Sequence, residues 1–147
     1  MDIKWHLRFL DLSNTIAEWS RDPSTKVGAV IVRPDKTIAS VGYNGLARGV
    51  EDTDERLNNR ELKYPLTMHA ELNAILSARE PLAGYTMYTS MHPCTSCASA
   101  MIQAGVGRVV TRAGKYPDRW AESFSMARTI FREAGIEFLE VNTVEVK

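Results

Sequence analysis

The sequence predicts an α/β fold: a three-layer α/β/α arrangement around a five-stranded mixed sheet whose last two strands are parallel. Three observations carry this. Short β-branched runs alternate with stretches of helical periodicity along the chain. The first two runs are separated by little more than Pro34-Asp35-Lys36, which makes them an antiparallel hairpin. The last two are separated by a helix-length segment, and a strand–helix–strand crossover of that length returns parallel.

Taken in order, Ile3 to about Ser20 reads as an amphipathic helix, with Ile3, Leu7, Leu10, Ile16 and Ala17 near one face. Arg21-Asp22-Pro23-Ser24 ends it. Val27 to Val32 and Thr37 to Tyr43 are the hairpin strands, and Gly42-Tyr43-Asn44-Gly45 closes the second. By residue chemistry that block is a turn, since Asn and Gly tolerate positive φ. Leu46 to Pro65 is polar, crowded with charge from Glu51 to Glu61, and long for a connecting loop. Thr67 is read as the N-cap of a helix reaching about Arg79, which Pro81 and Gly84 follow. Tyr85 to Ser90 is the third strand. Cys94 to Ala104 is a helix behind Pro93 and before the stop at Gly105. Val106 to Arg112, Ala121 to Ala134 and Ile136 to Val141 complete the chain as strand, helix and strand. Residues 1–147 read as one domain, without repeats or low-complexity segments.

Lys plus Arg number 18, Asp plus Glu number 18, and the net charge is zero. A balanced chain exerts no general pull on nucleic acid or anionic membrane. No stretch approaches the roughly 20 apolar residues of a membrane span. The start, Met1-Asp2-Ile3-Lys4-Trp5, lacks the apolar core of a signal peptide. With two cysteines in all, the expected location is the reducing cytoplasm, where Cys-x-x-Cys means metal or redox chemistry.

Both cysteines fall in Pro93-Cys94-Thr95-Ser96-Cys97, and His69-Ala70-Glu71 precedes them. One imidazole and two thiolates can hold Zn²⁺ and leave its fourth position open to water, as a catalytic site requires. The neutral centre they form still lowers the pKa of that water towards about 7. Glu71, two residues beyond the histidine, can then take and deliver protons. Each residue alone has a plainer meaning. Glu71 could be a first-turn acid, His69 a structural histidine, and the cysteines a thioredoxin-like redox pair. Found together at this spacing, they favour zinc. His92 adjoins the motif but is not needed as a ligand, and His6 is read as structural or surface.

His-x-Glu followed by Pro-Cys-x-x-Cys is the known signature of the zinc nucleobase deaminases. Further blocks narrow the resemblance: Ser20-Arg21-Asp22-Pro23, Lys26-Val27-Gly28-Ala29, Gly42-Tyr43-Asn44-Gly45, Lys63-Tyr64-Pro65, Ile102-Gln103-Ala104-Gly105-Val106 and Lys115-Tyr116. From about Leu7 to Leu139 the chain resembles the deoxycytidylate (dCMP) deaminases of the zinc-dependent cytidine deaminase superfamily. The resemblance implies a cytidine-deaminase-like fold and hydrolysis of dCMP to dUMP and ammonia, which feeds thymidylate synthesis. It implies one catalytic Zn²⁺ per subunit on His69, Cys94 and Cys97, with Glu71 as the proton shuttle. It also implies substrate contacts by Asn44 to the sugar, by Ala70, and by Tyr116 stacked on the base. Members are typically homohexamers, activated by dCTP with Mg²⁺ and inhibited by dTTP, with Gly42, Tyr43, Asn44 and Gly45 associated with the effector site. Ser24, Lys26 and Arg119 are candidates for the substrate phosphate because a monophosphate needs hydroxyl or cationic donors.

Rival readings keep the same zinc chemistry or discard it. Free cytidine deaminases commonly have a third cysteine where this chain has His69. A tRNA adenosine deaminase should show a basic surface, which zero net charge does not support. A riboflavin-pathway deaminase usually carries a fused reductase, for which 147 residues leave no room. A non-catalytic zinc or redox module is the remaining alternative.

Overall fold

The structure is a computed structural model that describes residues 3–142. Positions 1–2 and 143–147 of the expected domain therefore lie outside the described residues. The elements are α1 (Ile3–Ala17), β1 (Gly28–Val32), β2 (Ile38–Tyr43), β3 (Gly45–Leu46), α2 (Asp54–Asn58), α3 (Arg60–Leu66), β4 (Thr67–Met68), α4 (Ala70–Ser77), β5 (Thr86–Thr89), α5 (Thr95–Ala104), β6 (Arg108–Arg112), a 3₁₀ turn (Asp118–Trp120), α6 (Ala121–Glu133) and β7 (Glu137–Val141).

Five strands form one mixed sheet in the order β2-β1-β5-β6-β7. β1 is antiparallel to both β2 and β5, whereas β5, β6 and β7 run parallel. The expected hairpin and the parallel final pair are both present, and the parallel pairing extends one strand further, to β5.

Alternate residues of the central strands feed two cores. Val30, Val32, Tyr88 and Val110 meet Phe9, Leu10 and Ile16 of α1 on one face. Ala29, Ile31, Met87 and Val109 meet Ala70 and Ala74 of α4, Ala98 and Met101 of α5, and Ala127 and Phe131 of α6 on the other. Because β1 is buried on both faces, it reads as an unbroken apolar run. His6 is structural: it is 5% exposed and its Nδ1 shares a 2.8 Å hydrogen bond with the Tyr88 hydroxyl.

Two expectations need correction. The segment from Leu46 to Pro65 is not a plain loop, because it carries α2 and most of α3. Thr53 caps α2 by accepting from Arg56 N at 3.2 Å, and Asn59 caps α3 by accepting from Glu61 N at 3.0 Å. Thr67 does not cap α4. It belongs to β4, where Leu46 pairs with it, and its hydroxyl donates to the Lys63 carbonyl at 2.7 Å. The cap position falls on His69 instead. The short β3–β4 ribbon closes the excursion, pairing Gly45 with Met68, so the residues flanking that pair, Asn44 and His69, are brought to the same end of the sheet.

Gly42 sets how closely α4 approaches the sheet. A Cβ there would stand 2.4 Å from the Ala70 carbonyl oxygen and 2.5 Å from Ala74 N. Backbone atoms cannot yield as a flexible side chain would, so only glycine lets the first turn of α4 lie against β2 at this distance.

Candidate active site

His69 and Cys94 occupy the N-cap positions of α4 and α5, and neither side chain caps its own helix. Their carbonyls accept the first helical bonds, from Asn73 N at 3.0 Å and Ala98 N at 2.9 Å. The side chains are thus free to turn towards each other. Cys97 stands three residues into the same face of α5. His69 Nδ1 lies 3.4 Å from Cys94 Sγ and 3.3 Å from Cys97 Sγ. The three donor atoms fall within 4.8 Å of one another. Two sulfurs and one nitrogen at that separation suit tetrahedral zinc, whose ligands stand about 2.0–2.3 Å from the ion. His69 is the most open of the three, Cys94 is half-buried and Cys97 is buried.

The electrostatics favour the ligand form of one thiol. The neighbouring Cys97 thiol, with His69 adding to it, holds Cys94 well below the ordinary thiol range. Cys97 is pushed up by its hydrogen bond with Cys94, and burial adds to this. Contact with Cys94 raises His69. Glu71 sits in the first turn of α4, 4% exposed. Burial pushes its carboxyl up to about 7.

His69, Glu71 and Cys94 line a cleft of about 790 Å³. Asn44, Ala70, Ser24 and Arg119 also line it, whereas Lys26 and Tyr116 do not. Tyr116 packs its ring edge-on against Phe124 at 4.5 Å, and the aromatic rings that line the cleft are Tyr64, His92, Trp120 and Phe124. The Asn44 amide is locked in place: its Oδ1 accepts from Val27 N and its Nδ2 donates to the Thr25 carbonyl, both at 2.8 Å. The Gly42–Gly45 block is divided between two cavities. Asn44 faces the cleft, while Gly42, Tyr43 and Gly45 line a second cavity of about 320 Å³ together with Arg48 and Asn73.

Sequence reasoning gave no role to Asp22, Arg60 and Lys63, which also line the cleft. Lys63 Nζ donates to Asp22 Oδ1 at 3.1 Å and to Ser24 Oγ at 2.8 Å. Burial raises the Asp22 carboxyl, but donors from Ser24, Thr25 and Lys63 outweigh it and hold the group below the usual carboxylate range. The pair spans 41 positions, and no local pattern announces it. A depressed carboxyl adds stability above its unfolded value near 3.8 and loses it as pH falls through the lower folded value. Asp22→Asn should therefore cost about 3 kcal/mol in urea unfolding at pH 7, because it leaves a buried ammonium unpaired. The difference from the wild type should shrink below about pH 4; a difference independent of pH would contradict the ion-pair account.

The family model of the cytidine and deoxycytidylate deaminase zinc-binding region matches residues 3–113. The chain belongs to this family. It is 40% identical over 136 residues to an uncharacterized deaminase of Aliivibrio fischeri, covering 91% of each chain. It is 38% identical over 144 residues to the deoxycytidylate deaminase of Mus musculus, covering 92% of this chain and 79% of the mouse protein. Among solved structures it resembles the dCMP deaminase of cyanophage S-TIM5 in complex with dCMP and dUMP, with a TM-score of 0.76 and 23% identity, over 96% of this chain and 99% of the phage protein. At that identity the likeness concerns the fold. The matched region is a zinc-binding one, one histidine and two cysteines converge within it, and no helix among the described residues is long and apolar enough to cross a membrane.

Proposed function

We propose that this deaminase converts dCMP and water to dUMP and ammonia, supplying dUMP for thymidylate synthesis. The observation that carries the reading is a buried carboxyl beside a His-Cys-Cys cluster, in a cleft that also holds two guanidinium groups and an ammonium. His69, Cys94 and Cys97 would hold zinc, which supplies an activated water at neutral pH. The work of this chain's own residues follows from where they stand. Glu71 takes one proton from the attacking water and delivers it to ring N3, then takes the second from the hydroxyl now on C4 and delivers it to the departing amine, so that both protons of the water are used. A carboxyl poised near neutrality suits both halves of that task. Asn44, already held through both ends of its amide, offers its remaining N–H to the sugar. Ala70, fully buried at the start of α4, leaves room for the base. Phe124 and Trp120 form the aromatic wall for the base, and Tyr116 supports Phe124 from behind.

The 5′-phosphate falls to Ser24, Lys63, Arg60 and Arg119, rather than to Lys26. Each charge-assisted hydrogen bond is worth about 1.5–3 kcal/mol, so dCMP should exceed deoxycytidine in kcat/KM by roughly 10²-fold or more. Steady-state rates on the two substrates test this. Equal values would remove the phosphate site and with it the nucleotide assignment.

The resemblance of the Gly42–Gly45 block further supports regulation by dCTP with Mg²⁺ and by dTTP, in a homohexamer. The second cavity is the natural seat for such an effector, with Arg48 as its cation. On this reading the rate rises sigmoidally with dCMP, dCTP makes the curve hyperbolic, and dTTP deepens the lag. One unchanged hyperbola under all three conditions would rule it out. Both cysteines are free thiols, which suits a cytoplasmic enzyme.

A further inference from the structure

His92 stands two residues before Cys94, and it is not one of the three converging donors. It is nonetheless 5% exposed and tightly engaged. Its ring stacks on Phe124 of α6, with centroids 4.4 Å apart and planes 13° apart. Its Nδ1 lies 2.9 Å from the Pro93 carbonyl oxygen. A carbonyl only accepts, so Nδ1 carries the proton and donates it. Nε2 is then left with a lone pair, and Arg128 Nη1 of α6, which can only donate, stands 3.1 Å away. The tautomer is thus specified from both sides.

The Pro93 carbonyl belongs to the peptide that leads into Cys94. The imidazole therefore holds that peptide plane, and α6 holds the imidazole. On the other side of Cys94, Thr95 N donates to Ser123 Oγ at 3.0 Å, and Thr95 Oγ1 donates to the Ser123 carbonyl at 2.8 Å. Helix α6 thus grips the residue before Cys94 and the residue after it. The grip falls on the ligand with less support of its own. Cys97 lies buried within α5, whereas Cys94 sits half-buried at its cap and makes no side-chain capping bond.

We propose that α6 is an outer clamp on the metal site, with His92, Arg128 and Ser123 as positioning residues that fix the Pro93–Thr95 turn so that Cys94 Sγ is presented to the ion. The proposal rests on the reading of the His-Cys-Cys cluster as a zinc site. Outer partners of this kind orient a ligand and slow the loss of its metal. Arg128 acts through His92, so the two form one device, while Ser123 is independent.

The test is the rate at which zinc-loaded protein gives up its metal to a chromogenic chelator. His92→Phe keeps the ring on Phe124 but can neither donate to Pro93 nor accept from Arg128. Arg128→Met keeps the aliphatic stem. Each should release zinc about 10- to 100-fold faster than the wild type, and the double variant no faster than either alone. Ser123→Ala should add a separate acceleration to that of His92→Phe. In all three, kcat on dCMP should fall with KM little moved, and the Tm of the metal-stripped protein should stay near the wild-type value. Release within about twofold of wild type in His92→Phe and Arg128→Met would overturn the clamp, because losing a partner that orients a metal ligand has a larger effect. So would additive effects in their double variant, or a lowered Tm of the stripped protein with unchanged release. A wild-type protein that takes up no zinc would overturn the zinc reading itself and the clamp with it.

Discussion

Glu71→Gln should retain zinc at one ion per chain and lose turnover of dCMP by about 10²- to 10⁴-fold, the range that general acid–base groups contribute. The amide matches the carboxyl in size, so the buried site beside His69 keeps its packing. It cannot accept a proton from water or pass one to the base, and KM should change little because the loss falls on the chemical step. Metal content by atomic absorption and kcat on the same preparation decide the matter. Retained turnover would remove the proton-shuttle role, and loss of zinc would show that Glu71 supports the metal rather than the proton transfer.

Cys97→Ala should lose both metal and activity. Cys97 is the buried donor of the cluster, 3% exposed, and its removal leaves His69 and Cys94 alone. Metal bound only by the folded state adds about 2.7 kcal/mol at one hundred times its dissociation constant, so Tm should fall by roughly 5–10 °C against the zinc-loaded wild type. A redox pair would also fail on this substitution. Chelation of the wild type separates the two: zinc removal silences the deaminase and leaves a redox pair active.

The parts of this molecule that announce themselves in sequence are those whose signals are local. β1 is legible because both its faces are buried and every position is apolar or glycine. The ends of α5 and α6 are legible because Gly105 and Gly135 take φ of 88° and 76°, where other residues are strained. His69, Glu71, Cys94 and Cys97 stand out because two helix starts carry all of them. What stayed hidden depends on distant pairing. Two-residue strands such as β3 and β4 have no periodicity, and their pairing takes Thr67 away from the helix it would otherwise cap. The caps of α2 and α3, Thr53 and Asn59, were visible as residue types but lay inside a run whose charge suggested a loop. The Lys63–Asp22 pair and the hold of α6 on His92 join elements far apart in the chain, so no spacing rule finds them. Tyr116 shows the reverse case. An aromatic residue beside the site was recognisable, but the ring that lines the cleft is Phe124, against which Tyr116 packs edge-on.

The most direct measurement is the ultraviolet change from cytosine to uracil when the protein, stripped of metal and then given one equivalent of zinc, is mixed with dCMP. The account predicts no reaction before zinc and formation of dUMP with equimolar ammonia after it. Zinc-loaded protein that leaves dCMP untouched, with or without dCTP and Mg²⁺, would contradict the assignment of the substrate. Turnover by the stripped protein would contradict the role of the His69, Cys94 and Cys97 site.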